Sequence, residues 1–126
     1  MNKHFAMSTF LLATLLSVFL LSCKHDADVA ENPQISYGIN VKPIIAANCA
    51  YSGCHSATNF QRFSLATYND VIINGEVSGK DAINTRLYKS MVGRGAEIMP
   101  PSPKSPLSDI QIKTVLLWLK QGAKNN

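Results

Sequence analysis

Apolar residues recur every three or four positions in several short segments of the chain, the spacing typical of a helix with one buried face. The first segment spans 41–48, with Pro43 in its first turn, where a missing N–H costs little. The second begins at Thr67 and stops at Gly75, and the third spans 83–92. No segment of useful length alternates apolar and polar residues, so the pattern predicts an all-α domain.

A fourth segment, near the end of the chain, carries the clearest signal for a helix start. Ser108 can cap the helix and Gln111 can bond back to the Ser108 backbone, the reciprocal pair called a capping box. Asp109 places a negative charge in the first turn, where the helix dipole favours it, and Gly122 is a plausible end. An apolar stripe follows, and we expect Trp118, which borders it, to be a core side chain. The stripe consists of Ile112, Val115, Leu116 and Leu119.

The first 22 residues predict an export signal. Lys3 precedes an apolar run over 5–21 that is interrupted by several hydroxyl residues, which fits a secretory signal better than a membrane span. The run ends in Leu20-Leu21-Ser22-Cys23, which resembles the lipobox of bacterial lipoproteins. That resemblance implies cleavage before Cys23, a lipid on Cys23, and a location in the periplasm or on the outer membrane or cell surface. The alternative is an ordinary cleaved signal or an uncut anchor, with Cys23 incidental.

The remainder of the chain predicts a tether and one small domain. Residues 23–36 are polar and show no apolar periodicity, so we interpret them as a flexible tether. Residues 37–126 are enough for a single domain. The formal charge of +4 becomes +3 when Lys3 leaves with the signal, with 11 Lys and Arg against 8 Asp and Glu. These charges are scattered, so no nucleic-acid partner is expected, and the lipid is the predicted contact with a membrane.

Two cysteines and a histidine carry the most informative chemistry. Cys49 and Cys54 are separated by four residues and followed at once by His55. In the pattern C-x-x-C-H, two thiols form thioethers with haem vinyl groups and the adjacent imidazole binds the iron. This chain has two extra residues between the thiols, so the backbone must bulge or loop, and Gly53 supplies the freedom for it. A disulfide with a bystander histidine and a zinc site, which lacks a fourth ligand, are the alternatives.

A haem iron held by His55 would take its second axial ligand from a methionine. His4 leaves with the signal, and His25 lies on the tether. Met91 lies in an apolar-periodic stretch, where core packing is the better interpretation. Met99 precedes two consecutive prolines, which exclude a helix and stiffen the loop, so its thioether could be presented to a metal with little entropy loss. We predict Met99 as the ligand; a loop methionine packed on the surface is the alternative.

Taken in order along the chain, these features resemble the monohaem class I c-type cytochrome domains of exported bacterial proteins. The resemblance covers 39–123. Besides the cysteines and His55, it rests on Phe63-Ser64-Leu65-Ala66-Thr67-Tyr68, Leu87-Tyr88, Met99-Pro100-Pro101, Leu107-Ser108-Asp109 and Trp118-Leu119-Lys120-Gln121-Gly122-Ala123.

The resemblance implies the cytochrome c fold, a small helical domain around one covalently bound haem c. It implies thioethers at Cys49 and Cys54, with His55 and Met99 as the proximal and distal ligands of the iron. It also implies that the first and last helices cross and pack beside the haem. Side chains that could form the apolar pocket are Phe60, Phe63, Tyr68, Leu87, Met91 and Leu116.

An iron with both axial positions filled has no place for a substrate, so we expect an electron carrier, not an enzyme, and no small-molecule substrate. Its expected partners are redox proteins, a dehydrogenase as electron donor and a respiratory acceptor. If Met99 dissociates easily, peroxidase activity or gas sensing is the alternative. Without haem, the chain would be a structural module bridged by a disulfide.

Overall fold

The computed structural model describes residues 32–126. The predicted signal peptide 1–22, the lipid site at Cys23 and most of the predicted tether lie outside the described residues. Within 32–126, no helix is long and apolar enough to cross a membrane.

The described chain is a small all-helical domain with four α-helices and no β-strand between residues 32 and 126. A π-helical turn leads directly into the first α-helix, and a 3₁₀ turn precedes the third. The elements are the π turn Tyr37–Val41, α1 Lys42–Asn48, α2 Tyr68–Asn74, the 3₁₀ turn Ala82–Asn84, α3 Arg86–Val92 and α4 Asp109–Lys120.

Capping boxes begin both α2 and α4. The Thr67 hydroxyl accepts the Asp70 N–H at 3.1 Å, and the Asp70 carboxylate accepts the Thr67 N–H at 3.0 Å. In α4, the Ser108 hydroxyl accepts the Gln111 N–H, and the Gln111 side-chain oxygen accepts the Ser108 N–H at 2.9 Å. The helix starts predicted at Thr67 and Ser108 are therefore confirmed.

The single helix predicted over 83–92 is wrong in its first part, because the chain breaks at Thr85. Thr85 is fully buried, its hydroxyl donates to the Ala82 carbonyl at 2.8 Å, and it accepts the Tyr88 N–H at 3.1 Å. One hydroxyl thus closes the 3₁₀ turn and caps α3. Threonine hydroxyls often form such local hydrogen bonds with the backbone in place of the bonds of a continuous helix. Gly93 ends α3 in the left-handed conformation (φ 65°).

An aromatic cluster at the centre of the domain joins the π turn, α2 and α4. Trp118 is fully buried, and its ring centroid lies 5.5 Å from that of Tyr37, which in turn lies 5.1 Å from Tyr68. The Trp118 indole N–H donates to the Lys124 carbonyl at 2.9 Å, and the Tyr68 hydroxyl donates to the Ala123 carbonyl at 2.9 Å. Trp118 is the core side chain that its position in the sequence predicted.

Both ends of the described chain are bound to each other. The Gln121 amide donates to the Pro33 carbonyl at 3.1 Å and accepts the Ile35 N–H at 2.8 Å. The Asn126 side chain accepts the Tyr37 N–H at 2.9 Å. These hydrogen bonds therefore join residues 33–37 to residues 121–126.

We expect Trp118→Ala to lower the free energy of unfolding by about 3–5 kcal/mol, the usual cost of emptying a fully buried aromatic position. Trp118→Phe keeps most of the ring contacts and loses the hydrogen bond to Lys124, so its loss should be clearly smaller. Urea unfolding of both variants measures the difference. A loss below about 1 kcal/mol for Trp118→Ala would contradict this packing.

Candidate functional site

One cavity brings together the four residues predicted to hold a haem. Cys49, Cys54, His55 and Met99 all line it, and its volume is about 680 Å³. That volume lies within the range of about 300–1,000 Å³ found for cofactor and ligand sites. All residues of its lining fall between 48 and 101, so neither α4 nor the bound chain ends form its wall.

The four residues between the cysteines fold as a turn that keeps the motif together. α1 ends at Asn48, and the Cys54 N–H donates to the Tyr51 carbonyl at 3.1 Å. The His55 N–H reaches back to the Cys49 carbonyl at 3.1 Å, so the inserted residues loop out between the two cysteines. Gly53 has φ 82°, the left-handed backbone that the insert was expected to require.

A backbone hydrogen bond fixes the His55 ring. Its Nδ1 lies 2.9 Å from the Phe63 carbonyl, which can only accept, so Nδ1 carries the hydrogen. In the neutral ring this leaves the unshared electron pair on Nε2, the arrangement found when a histidine binds a metal through that nitrogen. The Phe63 ring also stacks on the imidazole, with centroids 4.6 Å apart. Phe63 therefore orients His55 through both its backbone carbonyl and its ring.

The loop that carries Met99 is attached to α3. The Met99 N–H donates to the Ser90 carbonyl at 2.8 Å, and the Lys104 N–H donates to the Pro101 carbonyl at 3.0 Å. Pro100 is buried and Met99 is half-buried at the cavity. Met91, by contrast, is only 3% exposed and belongs to the core. The prediction that Met91 is a core side chain is therefore confirmed, and Met99 as an iron ligand stays a prediction.

The apolar wall of the cavity differs in part from the predicted pocket. Phe63 and Leu87 line the cavity, whereas Phe60 is 45% exposed. Gly75 enables the approach of α2 to α3: a Cβ there would lie 3.1 Å from the Leu87 Cβ and 2.4 Å from the Val71 carbonyl oxygen. The predicted pocket residues that do not line this cavity are Phe60, Tyr68, Met91 and Leu116.

Charged side chains around the cavity are positive on balance. Glu76 forms ion pairs with Lys80 and Arg86, and the hydrogen bond from Lys80 holds the pKa of Glu76 below its usual value. Within 32–126, Arg62 and Lys89 form no ion pair. The full set consists of four cations, Arg62, Lys80, Arg86 and Lys89, and two carboxylates, Glu76 and Glu97.

The two thiols are free in the structure, with Cys49 buried and Cys54 half-buried. Burial, and then the proximity of Cys54, raise the pKa of the Cys49 thiol to about 11, so Cys49 is a neutral thiol at pH 7. Zinc binds cysteine as the thiolate. Within 32–126 no three His, Cys, Asp or Glu side chains are grouped to hold a metal.

Two contacts at the cavity were not anticipated from the sequence. The Arg86 guanidinium lies over the Phe63 ring at 5.0 Å, on the residue that also stacks on His55. The Lys104 ammonium lies over the Tyr51 ring at 4.6 Å. The sequence offered only two signals for the second contact. These were an aromatic residue inside the insert and a lysine between the prolines that follow Met99.

Comparisons of this chain with protein-family models, with curated proteins and with solved structures find no match.

Proposed function

We propose that this chain is an electron-transfer protein of the c-type cytochrome class, with one haem c bound covalently in the cavity. The observation that carries the proposal is the common cavity of Cys49, Cys54, His55 and Met99, residues from two segments more than forty positions apart. As part of this proposal, the all-helical domain would have the cytochrome c fold. The coarse all-helical architecture is compatible with it, with α4 packing on the π turn through Trp118 and Tyr37.

The cavity residues suit a haem in three respects. The thiols of Cys49 and Cys54 lie next to a histidine whose Nδ1 is bound to a carbonyl, leaving Nε2 to bind iron. Met99 supplies a thioether from a different segment. The excess of two positive charges on the lining would balance the two propionates of the porphyrin. Arg62 and Lys89 could supply these charges, because neither forms an ion pair within residues 32–126.

When bound, such a haem supplies exchange of one electron between ferric and ferrous iron. His55 and Met99 would both hold the iron, so that no coordination position would be left for a substrate. Phe63 and Leu87 would exclude water from one side of the cavity, and a thioether ligand favours the ferrous form. We propose a dehydrogenase as electron donor and a respiratory protein as acceptor. The lipid at Cys23 would tether the carrier to a membrane outside the cytoplasm.

Optical spectra of the purified protein in both oxidation states test this function. We expect the sharp bands of a low-spin c-type haem in the reduced form and, in the oxidised form, the absorption band of methionine bound to iron. Rapid reduction by a small one-electron donor should follow, without turnover of peroxide. A resting oxidised protein without the methionine band that reduces peroxide would instead favour the peroxidase alternative.

A further inference from the structure

The inserted residues between the two cysteines contact the loop that carries Met99. Tyr51 lies in the middle of the insert and lines the cavity. The Lys104 ammonium lies 4.6 Å from the centroid of the Tyr51 ring, which is within the distance of a cation–π contact. One aromatic side chain of the insert therefore contacts the loop that carries Met99.

The contact restrains the middle of the methionine loop, whose two ends are already held. At Met99, the backbone N–H donates to the Ser90 carbonyl on α3. At Lys104, the loop closes a turn with Pro101, and the side chain then reaches the insert. Removing the contact at Lys104 would leave the loop held by the Met99 hydrogen bond at α3 and by Leu107, which is buried in the core, with nothing joining its middle to the insert.

We propose that Tyr51 and Lys104 are positioning residues that keep Met99 on the haem iron by joining the insert to the methionine loop. The inference rests on the proposed haem function and deepens it. Neither residue would touch the iron. Their contact lowers the population of the state in which Met99 has moved away, and only that state admits an external ligand. The apparent affinity for such a ligand is scaled by the population of the open state.

The experiment is a titration of the purified oxidised holoprotein with imidazole, followed by its optical spectrum. An exposed cation–π contact is small, so Lys104→Gln and Tyr51→Leu should each raise the apparent imidazole affinity by about two- to fivefold. Lys104→Arg keeps a cation over the ring, and Tyr51→Phe keeps the ring but removes its hydroxyl. Both conservative variants should bind imidazole as the unaltered protein does.

Lys113→Gln is the matched control for charge, because it removes one exposed positive charge from α4, away from the cavity lining. It should leave imidazole affinity unchanged. Equal affinities for Lys104→Gln, Lys113→Gln and the unaltered holoprotein would overturn the positioning role. If Tyr51→Leu impairs haem attachment, Lys104→Gln decides the question alone. Absence of haem from the unaltered protein would instead overturn the proposed function, so the two failures are distinguishable.

Discussion

Replacing both Cys49 and Cys54 by serine is expected to abolish covalent haem binding and to yield a colourless protein from a host competent in c-type maturation. The folded state should also lose much of its stability, because the cavity of about 680 Å³ would no longer enclose a covalently held group. A covalently held haem would stay attached when the chain unfolds, but its burial in the cavity and its bond to Met99 would exist only in the folded state and would stabilise that state. A domain of this size has a free energy of unfolding of only about 5–15 kcal/mol in total. Intact mass and thermal unfolding followed by circular dichroism measure both effects.

Cys23→Ser is the matched control for this double variant, since it also removes a thiol but one that is predicted to carry lipid. It should retain the haem and lose membrane attachment. A coloured double variant with its haem still covalently bound would contradict the assignment of the thioethers. If Cys23→Ser lost the haem as well, the defect would lie in export and not in the two thioether positions.

Met99→Leu is expected to produce the second large effect, because leucine keeps the approximate volume of the side chain and removes the sulfur. The band of methionine bound to iron should disappear, and imidazole should bind without first displacing a protein ligand. The midpoint potential should fall by on the order of 100 mV, since a methionine ligand raises it and axial ligands move haem potentials over about 0.8 V. Spectra and a redox titration of the holoprotein measure these changes.

Met91→Leu makes the same chemical change within the core. Met91 is 3% exposed, so a volume-conserving replacement there should cost less than about 1.5 kcal/mol and leave the spectrum and potential unaltered. If Met91→Leu removed the methionine band and Met99→Leu did not, the two methionines would have been assigned the wrong way round.

The features predicted correctly from the sequence are local ones. The caps at Thr67 and Ser108 bond to backbone only three residues away, so the residues that determine them are visible in one short stretch. The same holds for Gly53, whose left-handed backbone follows from the spacing between the cysteines. The burial of Met91 followed from helical periodicity.

The features missed are two local hydrogen-bonding arrangements that leave no trace in the apolar pattern and one contact between distant segments. The Phe63 carbonyl that orients His55 has no side-chain signature, because a carbonyl is common to every residue. The contact of Lys104 with Tyr51 joins residues more than fifty positions apart, and single-sequence patterns do not pair them. The predicted helix is interrupted at Thr85 because the Thr85 hydroxyl forms hydrogen bonds with two backbone groups. The spacing of apolar residues carries no information about such a role.

The intact mass of the unaltered, purified protein tests haem attachment most directly, because it needs no variant and no partner. The protein should carry the mass of one haem, and that mass should persist after denaturation in acid and organic solvent, which removes haem that is not covalently bound. An unmodified chain would contradict covalent haem binding. A chain lighter by two hydrogens would identify a disulfide between Cys49 and Cys54 in its place.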